Sequence, residues 1–189
     1  MKIAVYPGSF DPMHIGHLAI LRKLCEDGGF GAVYLVISPQ NPFKNPEKAK
    51  SAQKRYEDAV KAAARHPELK IKVEDIELKM TPPNYTIRTL RALQAREPGN
   101  EFTLVMGADN IADFPRWRCA RKLLSGYDIL VYPRPGYDAQ ADLAKLKEWC
   151  KKGHIRCRMS ILDAPLVDIS STQLRQALAT GQNVADLLA

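Results

Sequence analysis

Residues 8–17 read Gly-Ser-Phe-Asp-Pro-Met-His-Ile-Gly-His. They lie between a β-rich run, Lys2-Ile3-Ala4-Val5-Tyr6, and a stretch where Leu18, Ile20, Leu21 and Leu24 recur at helical spacing. The reading is therefore strand, tight turn, helix. Gly8 ends the strand where a side chain would crowd a ligand, and Pro12 fixes the turn. His14 and His17 are three residues apart and share one face if the helix starts near Ile15. A helix N-terminus presents unpaired N–H groups and partial positive charge, which suits phosphate. Two imidazoles beside those donors could bind triphosphate oxygens and neutralise charge that builds up during a reaction. An isolated pair of this kind reads first as two polar surface histidines; it is the whole string that points to phosphate.

Outward from this stretch, apolar β-type runs recur at 2–6, 32–37, 70–73, 102–106, 128–132 and 158–162. Helical patterns fall near 16–27, 51–65, 86–96, 117–125, 139–151 and 172–179. This alternation predicts an α/β fold, a doubly wound Rossmann-like parallel sheet with helices on both faces. Ligands of such sheets bind at the carboxyl ends of the strands. A chain of 189 residues without internal repeats reads as one domain over 1–189, with a C-terminal helical part from about 172.

The net charge of +7 invites a nucleic-acid reading. The Lys and Arg residues are scattered, however, and aromatics do not alternate with them as a base-stacking surface requires. A small polyanion such as ATP accounts for the excess equally well. No run is long enough to span a bilayer, and the N-terminus enters a strand directly, so a cytoplasmic protein is expected. Four cysteines, Cys25, Cys119, Cys150 and Cys157, lack the spacing of a disulfide framework. Cys150, His154 and Cys157 could supply three zinc ligands, but Lys151, Lys152 and Arg156 would repel a cation and no fourth ligand is evident.

Other segments carry chemistry. Ser38-Pro39-Gln40-Asn41-Pro42-Phe43-Lys44-Asn45-Pro46 follows the second strand and could bring Lys44 to the same cleft as the histidines. Ile169-Ser170-Ser171-Thr172 opens the last helical pattern, with Arg175 one turn on. Those hydroxyls could cap the helix or hold phosphate, and Arg175 could stabilise a departing pyrophosphate. Met106-Gly107-Ala108-Asp109-Asn110 follows the fourth strand. Asp109 there could accept from a ribose or cap a helix that starts after Gly107.

The first stretch resembles the T/G-x-F-D-P-x-H-x-G-H signature of the nucleotidyltransferase superfamily. Residues 169–175 resemble the I-S-S-T-x-[IVL]-R signature that accompanies it in adenylyltransferases. His14-Ile15-Gly16-His17 also occurs in class I aminoacyl-tRNA synthetases, but their lysine-rich partner motif and anticodon module are absent here. The middle of the chain is more specific. Asn84-Tyr85-Thr86-Ile87-Arg88-Thr89-Leu90, Gly107-Ala108-Asp109-Asn110, Trp117 seven residues later, and Arg134-Pro135-Gly136 resemble segments of bacterial nicotinate mononucleotide adenylyltransferases.

That resemblance implies transfer of AMP from ATP to nicotinate mononucleotide, giving nicotinate adenine dinucleotide and pyrophosphate, with Mg²⁺ carried in by ATP. It implies catalytic roles for His14, His17, Lys44 and Arg175. Gly8, Ser9, Phe10, Gly16, Gly107, Asp109, Ile169, Ser170, Ser171 and Thr172 would contact ATP. Tyr85, Thr86, Asn110, Trp117 and Arg134 would contact the acceptor. Tyr85 and Trp117 would stack on the pyridine ring, with backbone N–H groups near Thr86 and Trp117 receiving its carboxylate. Trp117 could instead simply cover the core. Phe43 stands where the family has a histidine, and the longer final helix of relatives is missing, which leaves the oligomeric state unassigned. Related acceptors, nicotinamide mononucleotide or phosphopantetheine, and a non-catalytic nucleotide- or RNA-binding scaffold are the alternatives.

Overall fold

The computed structural model describes residues 1–26, 29–39 and 52–189. Six parallel strands form one sheet: β1 (Lys2–Gly8), β2 (Ala32–Ile37), β3 (Ile71–Glu74), β4 (Glu101–Gly107), β5 (Asp128–Tyr132) and β6 (Met159–Ile161). Their spatial order is β3-β2-β1-β4-β5-β6. The helices are α1 (Ile15–Glu26), α2 (Ala52–Ala64), α3 (Thr86–Arg96), α4 (Ala120–Gly126), α5 (Ala139–Lys152) and α6 (Ser171–Ala179). The doubly wound sheet expected from the sequence is present.

Each central strand is covered on both faces, which explains why it reads as a continuous apolar run rather than an alternating one. On one face, Ile3, Val5, Tyr34, Val36, Leu104 and Met106 pack with Ile87, Leu90 and Leu93 of α3, Leu123 of α4 and Leu143 of α5. On the other, Ala4, Tyr6, Val33, Leu35 and Val105 meet Leu18, Leu21 and Leu24 of α1 and Ala59 and Ala62 of α2. Leu21 and Leu24 are fully buried, each worth about 1.5–3 kcal/mol of hydrophobic stabilisation.

Chain order reverses between β1 and β4. From β1 the chain winds outward through β2 and β3, then α3 carries it back to β4 beside β1, where Lys2–Val5 pair with Glu101–Leu104. The carboxyl ends of β1 and β4 thus open a crevice at the topological switch point, the place where such sheets bind ligands. Gly8 and Gly107 end these two strands.

One element differs from the sequence expectation. The helix expected at 117–125 starts at Ala120, because Phe114–Arg116 forms a 3₁₀ turn and Cys119 takes a left-handed φ of 61°. An α-helix cannot run through that conformation.

Candidate active site

The loop after β1 is built by close packing. A Cβ on Gly8 would come within 2.9 Å of the Phe10 ring, so only glycine lets that ring fold back beneath the strand end. Phe10 itself is buried, edge-on to Tyr6 with ring centroids 5.2 Å apart and 5.0 Å from the His17 ring. Its side chain belongs to the core, so an ATP contact at Phe10 falls to its backbone.

His14 caps α1. Its carbonyl accepts from the N–H groups of His17 at 2.8 Å and Leu18 at 3.1 Å, while its own N–H donates to His17 Nδ1 at 3.2 Å. The second bond is the reciprocal half of a capping box, with imidazole in place of Glu or Gln. The two ring centroids lie 3.7 Å apart. His14 is only 4% exposed, and burial, assisted by the positive charge of Arg134, lowers its pKa to about 4. It is therefore neutral near pH 7. Its Nδ1 is buried and has no hydrogen-bond partner among the described residues. A Cβ on Gly16 would press on that nitrogen at 3.0 Å, which accounts for glycine between the histidines.

The start of α6 docks onto this loop. Ser170 caps α6, accepting from the Gln173 N–H at 3.2 Å, and Gln173 Oε1 accepts in return from the Ser170 N–H at 2.8 Å. Ser171 Oγ donates to the Pro12 carbonyl at 3.3 Å. Arg175 donates to the Asp11 carbonyl at 2.6 Å and to Thr172 Oγ1 at 3.1 Å, with the Asp11 carboxylate 3.8 Å away. Each of the three hydroxyls thus has a protein partner: Ser170 and Thr172 bond within α6, to Gln173 and Arg175, and Ser171 fastens the helix to the signature loop. What they offer a phosphate is the N-terminal backbone of α6, after Ile169. The tertiary structure thereby brings Arg175 to the loop of His14 and His17, from the far end of the chain.

At the end of β4 a second cluster forms. A Cβ on Gly107 would collide with Asp109 Oδ1 and approach Arg134 Cδ at 2.8 Å and Tyr132 Cζ at 3.1 Å. Asp109 lies inside the 3₁₀ turn Ala108–Asn110, whose cap residue is Gly107, so Asp109 does not cap a helix. Its Oδ1 faces Arg134 at 3.6 Å and, though buried, accepts no hydrogen bond from a described residue. An acceptor in that state suits a hydroxyl donor such as a ribose. Asn110 donates to the Gly107 carbonyl at 3.3 Å, which tightens the turn.

The expected acceptor residues are divided. Tyr85 is 42% exposed at the start of α3, and no side chain caps the helix there, so Thr86 occupies an open N-terminal turn. Trp117 stacks on Phe114 with centroids 4.8 Å apart and packs against the core, so one of its faces is already covered. Its backbone N–H donates to the Phe114 carbonyl at 3.0 Å, closing the 3₁₀ turn beside the N–H groups expected to receive the carboxylate. Lys44 and Phe43 lie outside the described residues.

Sequence reasoning missed two buried polar residues behind these loops. Arg55 is 3% exposed and donates to the carbonyls of Ser9 at 2.7 Å, Ser38 at 2.9 Å and Pro39 at 3.0 Å. The available signal was spacing: Arg55, Ala59 and Ala62 are the buried residues of α2 at i, i+4 and i+7, so an arginine stands at an inward position. Glu77 is likewise buried, accepts from Thr89 Oγ1 at 2.7 Å, and has its pKa raised by burial. No motif marks it.

With this geometry in view, residues 5–177 match the sequence profile of the family described as cytidylyltransferase-like. The chain belongs to the cytidylyltransferase-like family. Within that family it is 37% identical to a "Probable nicotinate-nucleotide adenylyltransferase" of Bacteroides fragilis, over 97% of this chain and 85% of the relative. A protein of the same name from Flavobacterium johnsoniae is 35% identical over 100% of this chain and 92% of the relative. Among solved structures, a Plasmodium falciparum nicotinic acid mononucleotide adenylyltransferase complexed with NaAD superposes with a TM-score of 0.77. It covers 98% of this chain and 87% of its own at 18% identity, so it speaks for a shared cytidylyltransferase-like fold.

Proposed function

We propose that this protein is a nicotinate-nucleotide adenylyltransferase, transferring AMP from ATP to nicotinate mononucleotide to give nicotinate adenine dinucleotide and pyrophosphate in NAD biosynthesis. The observation that carries this reading is the meeting of two distant motifs at the crevice. Arg175 hydrogen-bonds the Asp11 carbonyl within the loop that holds His14 and His17. Full-length relatives bearing that name add support.

A phosphate monoester is already anionic near neutral pH, so the acceptor needs no general base. One of its oxygens attacks the α-phosphorus of ATP, the bond to the bridging oxygen breaks, and pyrophosphate leaves with that electron pair. Catalysis then consists of alignment and charge stabilisation. His14, His17 and Arg175 line the loop where the triphosphate would lie, and Lys44 is assigned to the same task. Asp109 receives a ribose hydroxyl. Tyr85, Trp117 and the open start of α3 at Thr86 hold the pyridine end, with Asn110 and Arg134 beside them. Mg²⁺ enters as part of the nucleotide substrate, on triphosphate oxygens. Among the described residues no group of three His, Cys, Asp or Glu side chains is arranged to hold a metal.

The reaction is assigned to the cytoplasm, in keeping with four cysteines that are all free thiols. No described helix is long and apolar enough to cross a membrane. The test is pyrophosphate release from Mg-ATP with nicotinate mononucleotide, nicotinamide mononucleotide or phosphopantetheine offered separately. Preference for the nicotinate acceptor is expected. Preference for another keeps the chemistry and removes the acceptor assignment, and no release with any removes the enzyme reading.

A further inference from the structure

Parallel strands end in carbonyl groups that point toward the crevice, and a polyphosphate approaching that edge meets their negative ends. At β1 and β2 these carbonyls are gathered from below. Arg55 Nη1 donates to both Ser9 and Ser38 carbonyls, at 2.7 and 2.9 Å, and Nη2 donates to the Pro39 carbonyl at 3.0 Å. The strand ends are also tied directly, since the Ser38 N–H donates to the Gly8 carbonyl at 2.9 Å. Arg55 feels the charge of Asp11, whose carboxylate faces Arg175 at 3.8 Å. The guanidinium is thus linked to both halves of the signature loop. At 3% exposure its charge is poorly screened by salt.

We infer that Arg55 is a positioning residue for the nucleotide. Its planar fork holds the Ser9 carbonyl at one spacing from the Ser38–Pro39 carbonyls, turns all three away from the polyphosphate, and supplies fixed positive charge beneath it. A lysine at this position keeps the charge but not the fork, because its ammonium is a point donor on a flexible stem. A methionine keeps the stem volume and loses both. The inference rests on the adenylyltransferase reading only for the identity of the nucleotide.

Calorimetric binding of Mg-ATP to wild type, Arg55→Lys and Arg55→Met tests this without requiring turnover, alongside thermal melts and steady-state rates. Displacing a phosphate loop by about an ångström costs on the order of a hundredfold. Arg55→Met is therefore expected to weaken Mg-ATP binding and kcat/KM for ATP by roughly ten- to a hundredfold, with Arg55→Lys recovering part of the loss. The KM of the acceptor at saturating ATP should stay within about twofold of wild type, because Arg55 touches neither the β4 turn nor α3. Folded variants that bind Mg-ATP as wild type does would overturn the inference, as would equal weakening for ATP and acceptor.

If neither variant folds, side-chain NMR of the arginines in wild type decides. An Arg55 guanidinium whose hydrogens exchange slowly and whose signals shift with a non-hydrolysable ATP analogue supports it. One that exchanges rapidly and does not shift overturns it. Wild type that binds ATP but releases no pyrophosphate with any acceptor would overturn the enzyme reading and leave Arg55 standing.

Discussion

The backbone N–H of His14 donates to Nδ1 of His17 across 3.2 Å, with the two imidazole centroids 3.7 Å apart. A nitrogen that accepts from a backbone N–H must present its lone pair, so the neutral His17 ring carries its proton on Nε2. One hydrogen bond therefore caps α1 and also sets the tautomer of the residue assigned to the transferring phosphate.

Asparagine and glutamine separate those two roles. His17→Asn retains a short acceptor for the His14 N–H, and His17→Gln retains one as Gln173 does for the Ser170 N–H, so both variants hold the cap while the distal imidazole donor is lost. We expect His17→Asn to melt near wild type while turnover falls by about 10²-fold or more, the usual cost of losing a donor to developing charge. Turnover within about threefold of wild type in folded His17→Asn would remove His17 from the catalytic set.

His14 sets an acid limit on stability. Its folded pKa of about 4 lies below the ordinary 6.5, so between these values the unfolded chain binds a proton that the folded chain refuses. Stability is then constant from this group above pH 6.5 and lost as pH falls toward 4, by about 3 kcal/mol in full. Urea unfolding of wild type and His14→Gln from pH 7.5 to 4.5 checks it. The wild-type curve should fall more steeply below pH 6.5, and parallel curves would refute the assignment.

Gly107→Ala should damage the site through contact alone, since the glycine has an ordinary φ of −77°. The new methyl would occupy the space of Asp109 Oδ1 and crowd Arg134 and Tyr132. We expect about 1–3 kcal/mol of destabilisation, as for other overpacked positions. Nucleotide affinity should fall with it, and Asp109→Asn in the same assay gauges how much of that loss belongs to the carboxylate.

Trp117 provides an optical handle. The chain has two tryptophans, Trp117 and Trp149. With Phe114 on one face of Trp117, a pyridine mononucleotide has the other face to stack on. Nicotinate mononucleotide should quench wild-type fluorescence and leave that of Trp117→Phe, which keeps Trp149, unchanged. Equal quenching in both would detach Trp117 from acceptor binding.

Much of this was legible in the residues. Alternating apolar runs with strand and helix periods predicted the six strands and six helices of the described residues, because periodicity reports which face each element must bury. Gly8, His14 and His17 declared a strand–turn–helix, since glycine ends, cap positions and i, i+3 spacing are local properties. What was not legible locally was the set of partners of individual polar groups. Ser170, Ser171 and Thr172 read as either a helix cap or phosphate ligands, and local sequence does not choose; in the fold their hydroxyls tie α6 to itself and to the Pro12 carbonyl, a partner 159 residues away in sequence for Ser171. The Trp117 backbone N–H closes a 3₁₀ turn, a partner the sequence did not reveal. Arg55 went unnoticed because its meaning lies in three carbonyls contributed by two other segments. By itself the sequence determined the parallel sheet and its two coats of helices, and named candidates for the crevice. Only the tertiary structure decided which donors and acceptors are already satisfied by the protein and which, like His14 Nδ1 and Asp109 Oδ1, lack a partner among the described residues. Hydrogen-bond satisfaction depends on who comes near in space, and chain order does not encode that locally.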